Sequence, residues 1–174
     1  NGRVFVTDTG GAGLVVFDIE NKSVDTWGDK GSGTLVRPTG VTSDARGNLY
    51  VTDPLVHKVV VFDREGNYLK SFGDKEIMPK PVGLAFNDNS QRLYVVDSRK
   101  HQVIVLDPQG NVDFTIGERG SEPGHFNFPT NITMDAAGRL YVSDSMNFRI
   151  QVFEEDGTHV SSIGQAGTGL GHFS

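Results

Sequence analysis

Leu49-Tyr50-Val51-Thr52-Asp53 is a short strand-forming run closed by a carboxylate, and it recurs along the chain. Val4-Phe5-Val6-Thr7-Asp8, Tyr94-Val95-Val96-Asp97 and Tyr141-Val142-Ser143-Asp144 repeat the phrase, with aspartates 45, 44 and 47 residues apart. Further out, a second phrase keeps the same phase: Val15-Val16-Phe17-Asp18, Val60-Val61-Phe62-Asp63, Ile104-Val105-Leu106-Asp107 and Gln151-Val152-Phe153-Glu154. A third is an apolar residue followed by glycine, in Trp27-Gly28, Phe72-Gly73, Ile116-Gly117 and Ile163-Gly164. Three phrases that share one set of intervals define a tandem repeat of about four copies. A repeat of this length is one supersecondary unit that buries its faces against its neighbours.

In the second copy, residues 39–44, 49–53, 58–63 and 68–73 read as strands a, b, c and d, rich in Val, Tyr, Phe and Thr. Ala45-Arg46-Gly47-Asn48, Arg64-Glu65-Gly66-Asn67, Pro108-Gln109-Gly110-Asn111 and Asp156-Gly157 place glycine where a tight hairpin needs positive φ. No segment longer than ~10 residues has a 3.6-residue period, so helix is expected to be nearly absent. The pattern predicts an all-β fold, a β-propeller arc of four-stranded antiparallel blades. One domain spans residues 1–174, with copies at approximately 1–33, 34–77, 78–122 and 123–170 and the start of a next copy at 171–174. Copy one begins at strand b, which makes fifteen strands. Val51, Val61, Val95, Val105, Val142 and Val152 are expected between sheets, on their period-2 placement beside Tyr and Phe.

Composition narrows the function. The 174 residues include 22 glycines and no cysteine, which excludes a disulfide framework, a thiolate metal site and a cysteine nucleophile. No run reaches the ~18 apolar residues of a spanning helix, so no membrane insertion is expected. The net charge of −6 argues against general binding of nucleic acid or anionic membrane. On the rim shared by the d–a connections and b–c turns, acidic and basic side chains balance. The whole negative excess therefore lies elsewhere, and setting aside the four repeat aspartates leaves this rim positive.

The repeat resembles that of the NHL family: Pro-x-Gly, a hydrophobic strand, Gly-Asn-Leu-Tyr-Val-x-Asp, an Asn-His-Arg-Ile-like phrase and Val-Phe. Copy two carries it as Pro38-Thr39-Gly40, Gly47-Asn48-Leu49-Tyr50-Val51-Thr52-Asp53 and His57-Lys58-Val59-Val60-Val61-Phe62. Copy four carries it from Asp144 through Asn147-Phe148-Arg149-Ile150 to Phe153. The resemblance covers essentially the whole chain. It implies a propeller that closes with six blades, of which this segment is an arc. Open blade faces would then let the isolated segment self-associate. It also implies a location outside the cytoplasm, periplasmic or extracellular. The family includes interaction scaffolds, RNA binders and a lyase, so fold alone does not decide activity.

The repeat aspartates Asp8, Asp53, Asp97 and Asp144 sit where strand b enters the b–c turn, where a carboxylate accepts turn N–H groups. In the family's amidating lyase, zinc-binding histidines resemble one at the His57 slot and others directly after the proline of strand a. Here Thr39, Val82 and Thr130 hold the latter positions, and His57 and His101 are two where zinc takes three or four ligands. No cofactor, metal site or catalytic group is expected. The b–c turns differ most between copies, and they mix apolar with basic residues in the manner of interface hot spots. The expected partner-binding set is Leu55, His57, Lys58, Arg99, Lys100, His101, Met146, Phe148 and Arg149. The expected function is a non-enzymatic scaffold that binds a protein or peptide through one rim. The alternatives are a metal-dependent lyase or lactonase-like hydrolase, and an RNA-binding NHL domain.

Overall fold

The structure is a computed structural model that describes residues 2–169 and 171–173. The chain forms two compact units, Asn1–Pro81 and Val82–Ser174. The first unit holds a three-stranded sheet of β1 (Arg3–Asp8), β2 (Gly13–Asp18) and β3 (Ser23–Trp27). It also holds a four-stranded sheet of β4 (Gly40–Ser43), β5 (Leu49–Asp53), β6 (Lys58–Phe62) and β7 (Tyr68–Phe72). The second unit contains β8 (Pro81–Asn87, its first residue at the boundary), β9 (Arg92–Asp97), β10 (Gln102–Leu106) and β11 (Val112–Ile116). Its other sheet is β12 (Pro129–Met134), β13 (Leu140–Asp144), β14 (Arg149–Phe153) and β15 (His159–Ile163). Each sheet is an up-and-down meander in chain order, the form of a propeller blade.

Those fifteen strands match the expectation from the repeat, and only two three-residue 3₁₀ turns interrupt the β structure among the described residues. The segment expected to introduce another strand a adds one feature: His172–Phe173 (β17) pairs in parallel with Gln165–Ala166 (β16). Phe126 pairs in parallel with Arg119 one copy earlier, in the same phase. The parallel bridge therefore belongs to the d–a connection, ahead of strand a. Ser174 lies outside the described residues.

The six valines are all buried, and β5, β6, β9 and β10 are buried on both faces over nearly their whole length. In the first unit Leu14, Val16, Trp27, Leu49, Val51 and Phe62 share one core. In the second, Tyr94, Val105, Phe126, Val142 and Phe153 share another. The apolar–Gly phrase explains how consecutive blades join. Trp27 packs beneath Gly66 of the next blade's c–d turn, where a Cβ would lie 2.5 Å from the indole, and Ile116 sits in the same way beneath Gly157. The following glycine turns the chain at positive φ over an apolar side chain from the connection: Leu35 at Gly28, Met78 at Gly73, Phe126 at Gly117 and Phe173 at Gly164. Only glycine both adopts this φ and leaves that space.

The hairpin turns at one end of each blade are built alike. Asp44, Asp63 and Asp107 each accept the N–H groups two and four residues on, and their other oxygen takes the side-chain amide of Asn48, Asn67 or Asn111. The intervening glycines stand at φ near 90°. The Asn67 and Asn111 amides hold the Asp63 and Asp107 carboxyls below the ordinary range.

Candidate functional site

The b–c turns lie at the opposite end of each blade, and the repeat aspartates organise them. Asp8 accepts the N–H groups of Gly10 and Gly11, and Asp97 those of Arg99 and Lys100 at 3.0 and 2.8 Å. Asp53 does more: one oxygen takes Leu55 N–H at 3.0 Å, and the other takes the N–H groups of Val36 and Arg37 in the d–a connection. Asp144 likewise accepts Asn127 N–H at 2.6 Å, together with Asn147 Nδ2, Arg149 Nε and Gln151 Nε2 at 2.8, 2.8 and 3.0 Å. Asp8 and Asp97 thus fix their b–c turns, and Asp53 and Asp144 also clamp the turn against the d–a connection.

The fourth residue after each aspartate takes a left-handed backbone: Ala12, His57, His101 and Phe148 have φ of 55°, 58°, 58° and 52°. The two histidines of this slot are used in opposite ways. His57 Nδ1 donates to the Pro79 carbonyl at 2.9 Å. His101 Nδ1 accepts Phe128 N–H at 3.0 Å, so in the neutral ring its proton is on Nε2. His101 is buried, and its imidazole meets the Phe128 ring nearly edge-on at 4.6 Å. Burial holds its pKa below the ordinary value and the nearby Arg119 charge adds to that, while Asp144 and Asp97 oppose it.

The candidate residues fall into two groups. Leu55 and Met146 are 56% and 57% exposed, and Lys58, Arg99 and Lys100 are exposed. None of those three basic side chains has a hydrogen bond or ion pair among the described residues. The others are tied inward. Arg149 binds Asp144 and the carbonyls of Glu122 and His125, leaving 12% of its side chain exposed. Phe148 is half-buried, and His57 and His101 are anchored as above.

The residue that sequence reasoning passed over is Phe128. It is 44% exposed and has φ +51° directly before Pro129, a conformation that is rare for a bulky residue. Arg37 and Lys80 fill the same slot in the preceding copies and are not among the residues of positive φ. The turn at Phe128 adjoins a β-bulge: Pro129 faces Asp144 and Ile132 faces Val142, so β12 carries one residue more than β13 across that interval. The bulge lies close over Gly83, where a Cβ would come 2.8 Å from Asn131 Cα. Phe128 is flanked on both sides. His101 holds its N–H, and Met146 N–H binds the preceding carbonyl of Asn127 at 3.0 Å, with Thr130 Oγ1 and Ser145 Oγ 2.8 Å apart. The legible signal was an apolar residue in a slot that holds a basic one in two other copies.

Among the described residues no group of three or more His, Asp or Glu is arranged to hold a metal ion. A cleft of about 750 Å³ lies at the other rim of the first unit, among Arg3, Asp18, Arg46 and Arg64. Charges of both signs line it, and Arg3 is already bound to Asp18 and to the Arg64 carbonyl.

The profile of the NHL repeat matches residues 126–153, the span from the buried Phe126 through the Asp144 clamp to Phe153. Comparison with curated proteins gave no match. Among solved structures the chain is similar to a streptogramin B lyase (12% identity, TM-score 0.75, 92% of this chain and 50% of that one). It is similar to a chain of a nidogen–laminin complex (21%, 0.75, 92% and 59%) and to virginiamycin B lyase from Staphylococcus aureus (14%, 0.71, 91% and 50%). The chain spans only about half to three-fifths of the length of these relatives, and at such identities the likeness concerns the fold. Blade topology and these structural likenesses make the fold a β-propeller, and its fourth copy matches the NHL repeat.

Proposed function

We propose that the protein is a non-enzymatic binding scaffold and that a protein or peptide docks on the rim made by the b–c turns and d–a connections. The observation that carries this reading is Phe128: an exposed aromatic side chain in a strained conformation, fixed from both sides by the two b–c turns that carry the exposed Met146 and the exposed Arg99 and Lys100. Rigid frameworks that present side chains from clamped loops suit recognition, and strain retained at an exposed site marks a constraint other than stability. That a chain of similar fold comes from a nidogen–laminin complex agrees with the reading. A location outside the cytoplasm belongs to the same proposal on family resemblance, and cell fractionation tests it.

A photo-crosslinking residue placed at Met146 of the intact protein is expected to capture a protein partner, whereas the same residue at Asn67 on the other rim captures none. Phe128→Ala is expected to abolish the capture without lowering the melting temperature appreciably. Equal capture from both rims, or capture that survives Phe128→Ala, would overturn the assignment. Stoichiometric metal in the purified protein together with substrate turnover would favour an enzyme.

A further inference from the structure

The chemistry of the partner follows from what surrounds Phe128, provided that this rim is the binding surface as proposed above. Phe128 and Met146 each expose about half of their surface, and the backbone joins the two loops here, since Met146 N–H is bound to the Asn127 carbonyl that precedes Phe128. Arg99 and Lys100 immediately precede His101, whose ring holds Phe128 N–H, so this exposed basic pair lies two residues and one residue from the group that fixes Phe128. Three acidic groups of this region are already engaged. Asp97 and Asp144 are buried as turn clamps, and Glu118 faces His125 at 3.1 Å.

The first unit repeats the arrangement with different residues. Asp53 gathers Leu55 on one oxygen and Val36 on the other, and both side chains are largely exposed. Arg37, next to Val36, and Lys58, at the end of the same b–c turn, are exposed and without a side-chain partner among the described residues. Each unit thus presents two exposed apolar residues and two exposed basic residues from its clamped loops, on a chain whose net charge is −6.

We infer that the segment bound at this rim is an acidic peptide with apolar anchors, an Asp/Glu-rich stretch that places a Leu or Phe side chain between Phe128 and Met146 and carboxylates against Arg99 and Lys100. Two cations beside an apolar pair complement a short acidic, apolar motif. Nucleic acid is the less fitting class. Its affinity rests on many phosphate contacts, and the free cations at the b–c turns of each unit are few.

The test uses the full chain and fluorescence anisotropy with three labelled probes: a peptide alternating Asp/Glu with Leu and Phe, the same peptide with Lys in place of each acid, and oligouridine. The acidic peptide is expected to bind saturably and the lysine peptide at least about tenfold more weakly. Arg99→Glu with Lys100→Glu is expected to cut affinity for the acidic peptide by about tenfold or more, as is Met146→Ser, with melting temperatures unchanged because all three side chains are exposed. Absence of saturable binding by the acidic peptide, equal binding of the lysine peptide, or tighter binding of oligouridine overturns the inference. The two readings fail separately: capture lost with Phe128→Ala but indifferent to charge reversal at Arg99 and Lys100 keeps the scaffold and removes the acidic partner.

Discussion

Phe128 donates its backbone N–H to His101 Nδ1 across 3.0 Å, and the two rings meet nearly edge-on with centroids 4.6 Å apart. The bond needs the lone pair of a neutral imidazole. Protonation turns Nδ1 into a donor, which sets two donors face to face. A base whose pKa is depressed in the fold gives stability that is complete above its unfolded pKa, here near 6.5, and is lost as the pH falls from there toward the folded value. The Cε1 proton resonance of His101 should titrate below 6.5, and the stability of the chain should decline as the pH drops through that window. His101→Asn keeps a residue that tolerates positive φ but carries no titrating ring, and it should flatten the decline. A His101 midpoint at or above 6.5 would count against the bond.

Gly117 and Gly73 test how the connections are packed. Both have positive φ, and each lies against an apolar side chain from the connection, Phe126 and Met78 respectively. Alanine at either place meets strain and overlap together, for a cost of about 2–4 kcal/mol. Gly73→Ala should be the milder of the two, since a flexible Met78 yields where the Phe126 ring does not. Urea denaturation of both variants checks the order. Gly31 is also at positive φ but has open space around it, so Gly31→Ala isolates the backbone part of the cost.

The strands were legible because their signal is redundant. Val59, Val60 and Val61 or Tyr94, Val95 and Val96 are buried on both faces, and three phrases keep a single phase. The clamps were legible as carboxylates at fixed positions. The left-handed slot was visible as a position but not as a conformation, because Ala12, His57, His101 and Phe148 have no chemistry in common. Arg149 and Arg99 look equivalent as basic loop residues. The difference arises only when β14 brings Arg149 over the Asp144 carboxylate, while Arg99 stays at the tip of its turn. Phe128 stayed hidden because its exposure depends on the bulge in β12 and on the space over Gly83.

Asp144 holds the fourth blade's b–c turn through its buried carboxylate. Asp144→Ala removes the acceptor for Asn127 N–H, Asn147, Arg149 and Gln151 at once, and it leaves a nearly buried guanidinium without its counter-charge. Breaking one side of such a pair costs about 3–5 kcal/mol. Asp8→Ala removes only the exposed turn bonds to Gly10 and Gly11 and should cost about 1 kcal/mol. Equal losses in the two variants would show that the Arg149 pair adds nothing.

The sheet of β1, β2 and β3 is apolar on both faces. Phe5 and Val16 point into the core of the first unit, while Val4, Phe17 and Val24 lie directly opposite one another in the strand register and are exposed. β1 is also an edge strand, since no described strand pairs with its outer side. A cross-strand row of large apolar side chains beside an open edge favours association over solvation. The 174-residue chain alone is therefore expected to sediment above its monomer mass of 18.9 kDa, increasingly so with concentration. Phe17→Glu with Val24→Lys should restore the monomer, because opposite charges across the pair suit a solvated face and the exposed positions contribute little to the fold. The equivalent change at Tyr68 and Leu69 in β7, which are exposed but not part of this row, should leave association as it was. A wild-type chain that is monomeric at all concentrations, or variants that associate like the wild type, would exclude this face as the contact.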